Sequence, residues 1–215
     1  MVSMKSLIKK SKMKTLNRLI LMVLTFGIGL LSGCTSTPPG QSSFPSKHPH
    51  KAYSEVSREN YDNLCLIYQR HPDWKIAAET SYKKWGTPAW SLLAIIHQES
   101  RFKANARPSD TSSGAFGYAQ ATDAAWYDYQ KHTKNWGAKR NNLMHAMDFI
   151  GWYNHQSYKR LRISKHDPFK QYLAYHEGHT GYQNRSYLNE KWLPAVAKKV
   201  AVRARMYAKQ ISQCR

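Results

Sequence analysis

Downstream of its first fifty residues the chain alternates apolar and polar positions with the period of helices. Tyr61, Leu64, Cys65 and Tyr68 share one helical face. Pro72 opens a second segment carrying Trp74, Ala78, Tyr82 and Trp85, which Gly86 is expected to stop. Thr87-Pro88 has the form of a capping residue followed by Pro at the first helical position. The helix it predicts runs through Leu92, Leu93, Ile95 and Ile96 to about Arg101. Ser109 to Gln120 carries the Gly and Ser of turns, with a short hairpin expected around Phe116. A further helix is expected from near Asn142 past Ile150 and Tyr153, and another from Asp167-Pro168 to Gly178. After Pro194, Val196, Val200, Ala204, Tyr207, Ile211 and Cys214 recur at intervals of three and four, a last helix that points Cys214 toward the core. No βαβ alternation and no internal repeat is evident. The pattern predicts a mainly α protein, one helical domain over residues 54–215 with a turn region at 109–120.

The first 34 residues follow a different pattern. Lys5, Lys9, Lys10, Lys12, Lys14 and Arg18 precede an apolar run from Leu19 to Leu31, then Ser32-Gly33-Cys34. A basic leader, a short apolar stretch and small residues form a secretory signal peptide, too short for a comfortable membrane span. The ending Leu31-Ser32-Gly33-Cys34 resembles a bacterial lipobox, which implies a signal peptide over 1–33 and a lipidated Cys34 anchored in a membrane. Thr35 rather than Asp follows it, which the same resemblance reads as sorting to the outer membrane, facing the periplasm. An ordinary signal peptide with a chance Cys is the alternative, and Met4 or Met13 are alternative starts. Residues 34–53, rich in Pro, Ser and His, cannot bury apolar surface and are expected to form a flexible tether.

Composition narrows the partners. The chain has 215 residues, with 33 Lys and Arg against 13 Asp and Glu. Its 13% aromatic content argues against a disordered chain. Charge of this sign attracts polyanions. An exported chain does not normally meet nucleic acid, and no recognition motif for it is present, so the expected polyanion is the cell wall, whose peptide stems carry carboxylates. Beyond Cys34, Cys65 and Cys214 remain, an even pair whose default in an exported protein is a disulfide, with two separate buried thiols as the alternative. His176 and His179 have no third ligand at sensible spacing, so neither metal nor cofactor is expected.

One acid stands out. Glu99 lies four residues after Ile95 and seven after Leu92, on the same helical face as both. Burial there disfavours its charged form, and so do the outward-pointing carbonyls of the last helical turn. A carboxylic acid still protonated near neutral pH is what a general acid acting on a glycosidic oxygen requires. Asp110, Asp123 and Glu177 are the candidates for a second carboxylate of the kind most glycosidases use. Each also has an innocent role: loop solvation, helix capping, or pairing with a base.

Glu99-Ser100, Ser113-Gly114-Ala115-Phe116-Gly117-Tyr118-Ala119-Gln120 and Ala174-Tyr175-His176-Glu177-Gly178 occur in that order. They resemble the three signature motifs of the soluble-lytic-transglycosylase family, which has a lysozyme-like fold. The resemblance implies that Glu99 is the catalytic acid and that Ser100 helps position it. It further implies that Gly117 and Gln120 bound a turn lining the sugar groove, and that Tyr175 contacts the catalytic carboxyl. Tyr118-Ala119 replaces the family's Leu-Met, and Tyr118 is expected to stack on a sugar. His176 replaces its Asn, Glu177 flanks the groove, and Tyr182 is a further groove candidate. The Ser that faces the acid is Ser109, Ser112 or Ser113. The implied activity is cleavage of the bond between N-acetylmuramic acid and N-acetylglucosamine in peptidoglycan, forming a 1,6-anhydro ring. A lysozyme-type hydrolase on the same fold and a wall-binding lipoprotein without catalysis are the rivals.

Overall fold

Why α3 lies where it does follows from its composition. The computed structural model of the protein describes residues 60–214. In order these residues form α1 (Leu64–Arg70), α2 (Pro72–Trp85), α3 (Ala89–Ser100), α4 (Asp123–Thr133), α5 (Leu143–Leu161), α6 (Pro168–Gln183) and α7 (Trp192–Ile211). Leu92, Leu93, Ala94, Ile95 and Ile96 are all buried, and a helix apolar on every side is stable only when surrounded. Accordingly α3 packs against α2, α5 and α7, with α6 laid across α5 and α7. Short 3₁₀ turns at Thr111–Ser113 and Ser186–Asn189 and one isolated antiparallel bridge, Phe116 to Ala121, complete the fold, with no strand among the described residues. The leader, Cys34 and the tether fall outside these residues.

Caps account for most helix starts. Side chains of Asn63, Thr122, Asn142 and Asp167 accept from the backbone N–H three residues on, opening α1, α4, α5 and α6. Gly86 ends α2, its N–H donating to Tyr82 O at 2.7 Å.

Four expectations are corrected. Thr87 does not cap α3: Pro88 is the N-cap, with ψ 142°, and Thr87 is buried. Gly178 does not end α6. Its φ of 74° and ψ of 161° break the helix, but a further turn follows to Gln183. Only glycine adopts this backbone without strain. Asp123 is not a cap but the first residue of α4, a helix of two buried aromatics, Trp126 and Tyr129, that the pattern does not announce. The last helix begins at Trp192, two residues before Pro194, which its first turn tolerates.

The two ends of the described chain are joined. Cys65 and Cys214 form a disulfide across a separation of 149 residues, although Cys214 lies beyond α7 rather than on its buried stripe. Around it, Leu64 N donates to Gln210 Oε1 at 2.8 Å, and Arg203 pairs with Asp62 at 2.6 Å.

Candidate active site

Glu99 occupies the last turn of α3, where the core ends. The chain leaves the helix through two successive left-handed residues, Arg101 (φ 49°) and Phe102 (φ 59°). Each costs roughly 1–2 kcal/mol for a residue with a Cβ. Burial of the Phe102 ring between Tyr61 and Trp74, with centroids 4.8 and 5.0 Å away, offsets that cost. The sharp exit holds the final turn in place.

The carboxyl is dry. Glu99 is partly exposed as a residue, yet its Oε1 is sealed from solvent and has no hydrogen-bond partner. Burial pushes its pKa from 4.5 up to about 7, opposed by a side-chain hydrogen bond from Tyr172. Tyr172 and Tyr175 lie three residues apart on α6, hence on one face. Burial and the field of Glu99 push both hydroxyls far above the usual phenol range.

The turn of the second motif reaches the same place. Tyr175 donates through its hydroxyl to Ala119 O at 2.5 Å, docking residues 117–120 onto α6. The base of the turn is rigid. Gly117 has φ 78°, and a Cβ there would stand 2.2 Å from Arg140 O, so only glycine fits. Its N–H donates to Ala106 O at 2.9 Å, while Gln120 Nε2 contacts Ala106 O at 2.9 Å and Gly117 O at 2.7 Å. Arg140 gives its guanidinium to Gly114 O, Ala121 O and Asp123 Oδ1 at 2.7, 2.9 and 2.7 Å.

Other positions lie differently. Ser100 Oγ donates back to Ile96 O at 3.1 Å, and the Tyr118 and Trp74 rings meet edge to face with centroids 6.5 Å apart. Ser113 Oγ accepts from Ala115 N at 3.3 Å, and Ser109 sits in an exposed bend. His176 abuts Trp192, ring centroids 5.0 Å apart, and its pKa is lowered by burial. Tyr182 stacks on Tyr187 at 5.5 Å. Two residues beyond Tyr175, and so on the other side of α6, Glu177 pairs with the Ser186 hydroxyl. Asp110 is exposed and held below the usual carboxylate range by hydrogen bonds from Ser112, while Asp123 is bound to Arg140. All three candidate second carboxylates are thus engaged away from Glu99.

Tyr172 was not singled out by the motifs. Its signal is spacing alone: a tyrosine one turn before Tyr175 on the helix that covers Glu99. The arrangement can hold a proton in a water-poor site up to neutral pH, release it to a nearby oxygen, and steady the resulting carboxylate through Tyr172. Among the described residues no group of three or more His, Cys, Asp or Glu side chains gathers as a metal site, and no helix is long and apolar enough to cross a membrane.

No curated protein and no solved structure matches the chain. A family model described as the transglycosylase SLT domain matches residues 21–214, nearly the whole length. With a helical domain that gathers Glu99, the Gly117 turn and Tyr175, the chain belongs to the SLT family of lytic transglycosylases.

Proposed function

We propose that the protein cleaves the β-1,4 bond between N-acetylmuramic acid and N-acetylglucosamine in peptidoglycan without consuming water, with Glu99 as its acid and then its base. The observation that carries this is the dry carboxyl with a pKa of about 7. Protonated Glu99 gives its proton to the glycosidic oxygen as the bond to the muramoyl C1 breaks. The substrate's N-acetyl oxygen stabilises the cationic centre. Glu99, now a carboxylate accepting from Tyr172, takes the proton of the muramoyl C6 hydroxyl, and the C6 oxygen closes on C1 as a 1,6-anhydro ring. Atoms and charge balance with one carboxyl, in keeping with Asp110, Asp123 and Glu177 being engaged elsewhere. The lipobox resemblance adds that Cys34 carries a lipid and holds the domain at the outer membrane, facing the periplasm.

The test is mass spectrometry of sacculi digested by the purified protein. Anhydromuropeptides are expected, and Glu99→Gln is expected to abolish them while the far-ultraviolet spectrum is unchanged. Products heavier by one water would assign a hydrolase instead. Binding to sacculi with no turnover would assign a binding protein.

A further inference from the structure

A cavity of about 420 Å³ opens between the ends of α5 and α6, well within the usual size of ligand pockets. Arg160 from the last turn of α5, Arg162 at its C-cap and Arg185 just past α6 line it, together with Tyr182 and Tyr187. Three arginines from two stretches of chain line one cavity, and no acid lines it. None of the three arginines takes part in an ion pair among the described residues. Arg162 and Arg185 hold left-handed backbones, φ 59° and 55°, at the two chain reversals that frame the opening. Tyr182 and Tyr187 stack with centroids 5.5 Å apart, an apolar wall beside the cations.

Arginines near helix C-termini also complement the last carbonyls. That accounts for Arg160 and Arg162 on α5, but neither for Arg185 on a separate turn nor for the stacked tyrosines. Planar guanidinium forks suit carboxylates, which they bind through two parallel hydrogen bonds. The cavity is also linked to the candidate site. Burial raises the pKa of Tyr153 and lowers that of His179, and the charge of Arg160 exerts a smaller downward pull on both, while the Tyr153 ring lies 5.2 Å from that of Tyr175.

We propose that this cavity is a subsite for the carboxylates of the peptide stems carried by the glycan, gripped by Arg160, Arg162 and Arg185 against the Tyr182–Tyr187 wall. The identity of the ligand rests on the peptidoglycan reading above; the grip itself does not need turnover. The protein therefore favours strands whose stems end in free acids over strands whose stems are removed or amidated.

The experiment is a calorimetric titration of the chain with a synthetic stem tetrapeptide, which carries no glycosidic bond to be cut, and with its fully amidated counterpart. The free acid is expected to bind at least about tenfold more tightly, and each Arg→Ala change to cost about tenfold, as for a hydrogen bond to a charged group. The triple Arg160→Ala, Arg162→Ala, Arg185→Ala chain is expected to treat the two peptides alike. Arg185→Ala alone is the milder probe should the triple chain fail to fold. Equal binding of acid and amide by the parent, or unchanged binding by the alanine variants, overturns the proposal. Inorganic phosphate binding as tightly as the tetrapeptide overturns it too, because the pocket would then serve phosphate. Stem binding in a protein that cleaves no glycan would sink the enzymatic reading and leave this one standing.

Discussion

A folded chain that keeps a carboxyl dry loses stability when that carboxyl ionises, and Glu99→Gln measures the loss. The unfolded chain releases this proton near pH 4.5, whereas the native chain holds it until about pH 7. Between those values the native state binds more protons, so stability falls as pH rises. At about 1.4 kcal/mol per pH unit, the deficit reaches about 3 kcal/mol at pH 8 and is absent below pH 4.5. Gln has the same shape, never ionises, and its carbonyl still accepts from Tyr172. His97 and His179, lowered to about 4 by burial, act in the opposite sense: they cost stability as pH falls below 6.5. They are present in both proteins and cancel in the difference. Thermal melts followed by circular dichroism should therefore give a gap between Glu99→Gln and the parent that grows from pH 4.5 to pH 8. At pH 8 the variant should melt higher by roughly 6–12 °C for a domain of this size. A gap that ignores pH, or a variant less stable at pH 8, refutes the account of a buried, uncharged acid.

Tyr172→Phe removes a hydrogen bond that lowers the Glu99 pKa, so the alkaline limb of the pH–rate profile, expected near pH 7, should move to higher pH; a limb that stays or falls would count against that contact. Gly117→Ala combines a left-handed backbone with a Cβ 2.2 Å from Arg140 O, and should cost about 3 kcal/mol or more in urea denaturation. A cost under about 0.5 kcal/mol would mean the turn is not held as described. Cys65→Ser opens a closure spanning 149 residues and should lower stability by up to about 5 kcal/mol. A parent midpoint indifferent to reductant would contradict the bridge.

Much of this domain is legible from residues whose effect is local. Asn142 and Asp167 cap helices because a side-chain oxygen three residues ahead of a free N–H needs no tertiary help. The all-apolar run from Leu92 to Ile96 marks the central helix, and from it follows the burial of Glu99. What the pattern hides depends on packing. Thr87 has a capping side chain, but burial turns it away and leaves Pro88 at the helix boundary. Gly178 interrupts α6 without ending it, because the segment beyond can still pack, with His179 stacked on Tyr153 at 4.6 Å. In the site, motif order marks Glu99, Gly117 and Tyr175. The partner that hydrogen-bonds the acid, Tyr172, becomes visible only when the fold brings α6 to the end of Glu99's side chain.

Arg140 closes the 114–121 loop at Gly114 and Ala121 with one side chain, while Thr111 and Ser112 stand exposed just ahead of that closure. The turn at Thr111–Ser113 therefore stands outside the stapled loop and meets it where the Gly114 N–H donates to Thr111 O at 3.0 Å. Inserted residues or a fluorescent label grafted at Thr111 should ride on a fixed pedestal, reporting what approaches the loop without disturbing the turn beneath it.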